Sequence, residues 1–372
     1  MQQRQNRNRS HRIIIRILSA VLVFIFACSF IGMTEAEESR IGFGAYDHVF
    51  IVGVDGAGAA FTKTDTPCFD SIFSDYAFRH DAATETLTIS AQNWGSILTG
   101  LPYDVHGFTN NSIGAAERDS STGAHTLFYY VRQAHPQAEL ASFVDWSPLN
   151  YGLVENDLDV YKQSFPNDDP GVTAALEEYF AAGNAPELLF TQLDNPDHTA
   201  HAHGGFSEEY YESIRTADAQ IGRIYAAIEA QGLMENGLFI VVADHGETAG
   251  GHGGQTPEES SAVVAAVGHN VKQMTLPEGT RIRDVAAIAL YALGIEQPDC
   301  FVCSAPQVIF GEERWRPEPP TTEPPAEPST EPITEPSTKP TSQPSGSSGN
   351  VLQRIIHWFR ALFNAIAEWF RS

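Results

Sequence analysis

The 372 residues carry 47 Asp and Glu against 22 Lys and Arg, for a formal charge of -25, and 42% of them are hydrophobic. An acidic balance of this size excludes nucleic-acid duplex binding through a basic patch. It also opposes electrostatic capture of polyanions outside a dedicated site.

Residues 1–36 run from a basic region (Arg4, Arg7, Arg9, Arg12, Arg16) through the uncharged apolar run Ile17–Met33 to Thr34-Glu35-Ala36. That order is the pattern of a signal peptide ending in a small-residue cleavage site. A retained anchor is the alternative, because the run is near the lower length limit for a spanning helix. Either way the remainder is exported, since the positive flank stays inside. A secreted or cell-envelope location follows.

Residues 40–313 form the expected catalytic domain. Strand-like segments at 48–54, 139–144, 187–193, 237–243 and 262–267 alternate with helix-like ones. The helices fall at 67–76, 92–99, 124–134, 171–182, 207–231 and 283–294. In the fifth of these, Tyr211, Ile214, Ile221, Ile224 and Ile228 share a face. Alternating units predict an α/β fold, a mostly parallel central sheet with helices on both faces. Of the four Cys, Cys28 falls in the leader, while Cys300 and Cys303 have CxxC spacing with no second pair. A local disulfide or plain buried thiols fit them better than a metal or redox role, and Cys68 is free or paired with one of them.

Residues 314–349 are rich in Pro, Thr, Glu and Ser and read as a disordered linker. Residues 350–372 read as an amphipathic helix. Its stripe includes Leu352, Ile356, Phe359, Phe363 and Phe370, with Arg354, Arg360 and Arg371 carrying the charge. Contact with a membrane surface, self-association, or docking onto the catalytic domain are its three possible uses.

Three apolar strands end in Asp. Val49–Val54 runs into Asp55-Gly56, and Leu238–Ala243 runs into Asp244-His245-Gly246, with His252 six residues on. The third leads into Asp194-Asn-Pro-Asp-His-Thr-Ala-His-Ala-His-Gly204, which reads as a loop loaded with Asp and His. Ligands of open α/β sheets bind at the carboxyl ends of the strands. Carboxylate and imidazole donors suit zinc or manganese. A solvated, merely His-rich loop is the bland alternative. Ser90 lies near an expected helix start at about Ala91, where it serves either as a nucleophile or as an ordinary cap.

The ordered set matters more than any one motif. Asp55-Gly56 comes first, then Ser90 ten residues before Gly100, then Pro102 and His106-Gly107. Asp197-x-x-x-His201 and Asp244-His245-Gly246 complete it. Over residues 47–310 this resembles the alkaline phosphatase superfamily, especially its phosphodiesterase/nucleotide-pyrophosphatase and phosphoglycerate-mutase-like branches. The resemblance implies two divalent ions, zinc or else manganese. Asp197, His201 and His252 would hold one ion, with His203 and His269 as rivals of His252. Asp55, Asp244 and His245 would hold the other, with Ser90 Oγ reaching it. Ser90 takes the nucleophile's place, and Asn93 matches an Asn that contacts a phosphoryl oxygen. Asp194 and His198 are then orienting groups rather than ligands.

Ser90-Ala-Gln-Asn-Trp lacks the Pro and Arg that follow a sulfatase nucleophile. No Arg lies near Ser90 to clamp a monoester. Asn110, Asn111, Trp146 and Tyr151 fall where substrate contacts are expected, with ordinary packing as the alternative. The implied function is an exported two-metal phosphoester hydrolase working through phosphoserine, a phosphodiesterase or nucleotide pyrophosphatase. Phosphomonoesterase, phosphonate hydrolase and envelope phosphoryl-group transferase are same-fold alternatives. An inactive surface-displayed binding module is the alternative of another class, although such a relative should have lost ligands.

Overall fold

A computed structural model describes residues 41–121, 123–304 and 307–311. The expected signal peptide, the linker, the C-terminal helix and Cys28 lie outside the described residues. Among the described residues no helix is long and apolar enough to cross a membrane.

Eight described strands form one sheet: β1 (His48–Val54), β2 (Ala77–Ala83), β3 (Leu140–Val144), β4 (Tyr161–Ser164), β5 (Leu188–Leu193), β6 (Gly237–Ala243), β7 (Ser261–Val267) and β8 (Met274–Thr275). Their order is β4-β3-β5-β1-β6-β7-β2-β8. β4, β3, β5, β1 and β6 are parallel, β7 is antiparallel to both β6 and β2, and β8 is parallel to β2. The five predicted strands are all present within a residue at each end. Two of the others, β2 and β4, carry charged or polar side chains on partly exposed positions. On the edge strand β4 that composition opposes pairing with other chains, and in both it hides the strand from an apolar-run search.

Strands β1, β5 and β6 are buried on both faces, as a parallel sheet requires. Helices Pro67–Phe73, Asp169–Ala181, Asn195–His203 and Glu208–Ala230 pack with one another. Helices Ser90–Thr99, Leu127–Ala134 and Asp284–Ala292 form a second group. Alternate residues of β1 meet the two groups: Phe50 packs edge-on to Phe180, whereas Gly53 approaches Trp94. A Cβ on Gly53 would stand 2.3 Å from the Trp94 ring, so only glycine admits that indole beneath the sheet.

The stretch after β5 corrects an expectation. Asn195–His203 is a helix, not a loop, opened by Pro196 in its first turn and closed at Gly204. Cys68, Cys300 and Cys303 are free thiols.

Candidate metal centre

Four neighbouring parallel strands, β3, β5, β1 and β6, are each followed by an Asp: Asp145, Asp194, Asp55 and Asp244. The carboxylates of Asp55 and Asp244 therefore converge at the carboxyl edge of the sheet. The helix after β5 adds Asp197 and His201 on one face, four residues apart. Gly56, at φ +66°, lets the turn after β1 approach this helix, since a Cβ there would lie 2.9 Å from the Asp197 Cα.

Two sets of donors result. In the first, His201 Nε2 lies 3.3 Å from Asp197 Oδ2, and His252 Nε2 lies 3.4 Å from Asp197 Oδ1 and 3.2 Å from His201 Nε2. In the second, His245 Nε2 lies 3.3 Å from Asp244 Oδ2, 3.5 Å from Asp55 Oδ1 and 3.3 Å from Ser90 Oγ. Four ligands placed tetrahedrally about 2.0–2.1 Å from an ion stand about 3.3 Å apart. Both sets have that spacing.

The buried oxygens give a second test of fit. Asp55 Oδ1, Asp197 Oδ1 and Asp244 Oδ2 have no hydrogen-bond partner. These are the same oxygens that face the imidazole nitrogens. Their twins on Asp55 and Asp244 are occupied. Asp55 Oδ2 accepts from Trp94 Nε1 at 2.7 Å and Gln192 Nε2 at 3.1 Å. Asp244 Oδ1 accepts from the N–H groups of Gly56 and His245. Orphaned buried carboxylate oxygens are costly unless a cation meets them. The residues fit divalent-cation binding.

The imidazoles are oriented in the same way. His252 Nδ1 donates to the Thr88 carbonyl and His245 Nδ1 to the Gly246 carbonyl, which turns each Nε2 toward the carboxylates. Thr88 Oγ1 accepts from Gly253 N–H and donates to the Gly254 carbonyl, tying the His252 loop to the Ser90 segment. Glu259 braces that loop from below, accepting from Gly254 and Thr256 N–H.

Electrostatics follow from burial. Asp55 and Asp244 are 1% and 0% exposed, and burial above all raises both carboxyls well above their usual range, helped by repulsion from Asp244 at Asp55 and from Asp197 at Asp244. Burial pushes His245 down to about 3. Burial would also raise Asp197, but the hydrogen bond from His201 and the nearby imidazoles outweigh it and hold this carboxyl low. Glu247, pushed up to about 10 by burial and by the neighbouring Asp197 carboxylate, completes a cluster with Asp197, His245 and His252.

Ser90 is the first residue of its helix rather than its cap, and its hydroxyl points at the second donor set. Asn110 Oδ1 accepts from Ala91 N–H at 3.0 Å, so the cap is supplied from outside the helix. The amide NH2 of exposed Asn110 is left beside Ser90 with no other partner among the described residues.

Asn93 requires a correction. It is fully buried, accepts from Glu85 N–H and donates to the Leu87 and Ile89 carbonyls. Its amide is spent holding the segment that carries Ser90.

Of the rivals to His252, His269 packs against Tyr46, and His203 is exposed at the helix end. Asp194 orients through Gln192, whose Nε2 donates to it at 2.8 Å and to Asp55. The backbone of Trp146 donates to Gln192 Oε1, and Tyr151 is exposed. Trp94, Gln192 and Glu247 lacked any sequence signal, because nothing local marks a residue that acts only on a distant ligand.

The sequence profile of the type I phosphodiesterase / nucleotide pyrophosphatase family matches residues 49–251. The chain belongs to that family. The match takes in β1, the Ser90 helix and all the donors except His252.

A protein of Aspergillus fumigatus, GPI ethanolamine phosphate transferase 2, is 26% identical over 78% of this chain and 40% of its own length. A 2,3-bisphosphoglycerate-independent phosphoglycerate mutase of Listeria monocytogenes is 34% identical over 34% of this chain and 24% of its own. The chain thus spans well under half the length of either relative. In structure it is similar to murine ectonucleotide pyrophosphatase / phosphodiesterase 5 in complex with AMP. The TM-score is 0.57 at 14% identity, covering 71% of this chain and all of that one. The fold is that of the alkaline phosphatase superfamily, and the family is one of hydrolases acting on phosphoester bonds.

Proposed function

We propose that this chain is an exported enzyme that cleaves phosphodiesters through a covalent phospho-Ser90. The observation that carries this reading is Ser90 Oγ, 3.3 Å from His245 Nε2 at the edge of a donor set whose carboxylate oxygens are otherwise orphaned. Asp197, His201 and His252 would hold one divalent ion, and Asp55, Asp244 and His245, with Ser90, would hold the other. The ions, when bound, lower the pKa of the Ser90 hydroxyl and neutralise charge developing on the phosphoryl group.

Ser90 Oγ forms the bond to phosphorus while the bond to the leaving oxygen breaks. The helix N-terminus at Ser90 favours the anion on both partners. Asn110 donates its amide N–H to a phosphoryl oxygen as charge grows there. A second oxygen nucleophile then releases the group and frees Ser90. Residues 85–107 contain no Lys or Arg, so nothing in this segment matches the second negative charge of a monoester. That favours the singly charged diester.

The test is turnover of bis-p-nitrophenyl phosphate, p-nitrophenyl phosphate and p-nitrophenyl sulfate by the full chain loaded with zinc or manganese. The diester should be the fastest. A faster monoester or sulfate would overturn the assignment.

Transfer to an alcohol is a second reading, favoured by the relative aligned over 78% of this chain, which is named as an ethanolamine phosphate transferase. Phospho-Ser90 would then be attacked by an acceptor hydroxyl instead of water. Added glycerol would divert product into glycerol phosphoester if so.

A further inference from the structure

Glu247 follows Asp244-His245-Gly246 but belongs to neither donor set. It is 2% exposed, and neither of its carboxylate oxygens has a hydrogen-bond partner. Among the described residues no Lys or Arg pairs with it. It borders an open cavity of about 200 Å³ together with Lys63, but the Lys63 ammonium lies over the Phe206 ring instead, 4.8 Å from its centre. A buried carboxylate with both oxygens orphaned is costly unless a cation meets it.

Its surroundings show where that cation would sit. A Glu247 oxygen, an Asp197 oxygen and one nitrogen each of His245 and His252 all lie within 4.8 Å of one another. Orienting His245 is not the task of Glu247. Its Oε1 is 3.9 Å from His245 Nδ1, beyond hydrogen-bond reach, and that nitrogen already donates to the Gly246 carbonyl at 3.2 Å. Asp197 and His252 remain, and they are 3.4 Å apart in the first donor set. Gly205 lets the chain close on this side chain. A Cβ there would stand 2.7 Å from the Glu247 Cβ, so the turn after helix Asn195–His203 packs directly against it.

We propose that Glu247 is a further ligand of the ion assigned to Asp197, His201 and His252, its fourth protein donor. The proposal rests on the two-ion reading of this chain. Two imidazoles and one carboxylate leave a tetrahedral ion one position short. Glu247 fills that position with an oxygen donor, which zinc and manganese both accept. With Asp197 it supplies two negative charges, enough to balance one divalent ion.

The experiment is zinc titration of the metal-stripped full chain against a chromogenic chelator, on the wild type and on Glu247→Gln, with thermal melts of both stripped proteins. The wild type should bind two equivalents. Glu247→Gln should bind one of them about tenfold or more weakly and the other unchanged. The melts separate loss of a ligand from loss of fold. Without an ion the orphaned carboxylate adds nothing favourable, so the stripped variant should melt no lower than the stripped wild type. Two equivalents at wild-type affinity in Glu247→Gln would overturn Glu247 as a ligand and leave the two-ion reading standing. Fewer than two equivalents in the wild type would overturn that reading and this inference with it. A stripped variant that melts lower than the stripped wild type would give the carboxylate to the fold and overturn the proposal.

Discussion

The indole N–H of Trp94 donates to Oδ2 of Asp55 at 2.7 Å, from a ring with no solvent exposure. This bond fixes which carboxylate oxygen faces His245 and which is spent. Trp94→Phe keeps most of the packing and removes the donor. It should weaken binding of one metal ion by about 10–100-fold, read by competition with a chromogenic chelator. Wild-type affinity would show that Asp55 needs no such support.

We assign Asn93 to holding the Ser90 segment and propose Asn110 as the residue that contacts the substrate. Asn93→Ala removes three hydrogen bonds, one of them buried, and strands the Glu85 N–H, and should cost about 3 kcal/mol in urea unfolding. Asn110→Ala should leave the midpoint nearly unchanged and lower kcat on a diester by about 10²-fold. A kinetic loss for Asn93→Ala without a stability loss, together with a silent Asn110→Ala, would reverse the assignment.

His106 gives the fold a pH limit. It is buried. Its Nδ1 accepts from Phe108 N–H, and its Nε2 donates toward the Gln92 carbonyl and Ser96 Oγ, a neutral tautomer with both nitrogens used. Burial pushes it down to about 4 from an ordinary 6.5. Above about pH 6.5 both folded and unfolded states are neutral and nothing is lost. As pH falls through this window the unfolded chain takes up a proton first, so stability drops, by about 2 kcal/mol at pH 5. Unfolding free energies at pH 7 and pH 5 should differ by that much more in the wild type than in His106→Gln. Equal pH dependence would refute the assignment.

The buried strands and the residues gathered at the candidate site were legible because each is a local pattern: an apolar run that stops at Asp, or an Asp and a His four apart. Asp55, Asp244 and Asp197 are read that way. The helical state of 195–203 was hidden by its composition, since Asn, Asp, Thr and three His give no apolar stripe. Packing against Glu208–Ala230 supplies the stability that propensity does not. Strand β4, Tyr161–Ser164, was hidden because an outer strand bears the polar residues of a surface. Asn110 and Gln192 act across 19 and 137 positions of sequence, on Ala91 and Asp55, and only the fold brings them there.

The sequence of residues 351–371 makes its own prediction. An aromatic stripe at helical spacing, with Arg354, Arg360 and Arg371 beside it, should bind an anionic membrane surface. Liposome flotation of the mature chain against one truncated after Gly349 checks this. Equal flotation of both would rule it out. A truncated form that stays monomeric where the full chain is oligomeric would point to self-association instead.

The account stands or falls on Ser90. Zinc-loaded Ser90→Ala, with its metal content confirmed, should hydrolyse bis-p-nitrophenyl phosphate at well under about 1% of the wild-type rate, since the nucleophile itself is gone. Retention of more than a few per cent of activity, on the order of the residual left by losing one oxyanion donor, would show that another group attacks phosphorus.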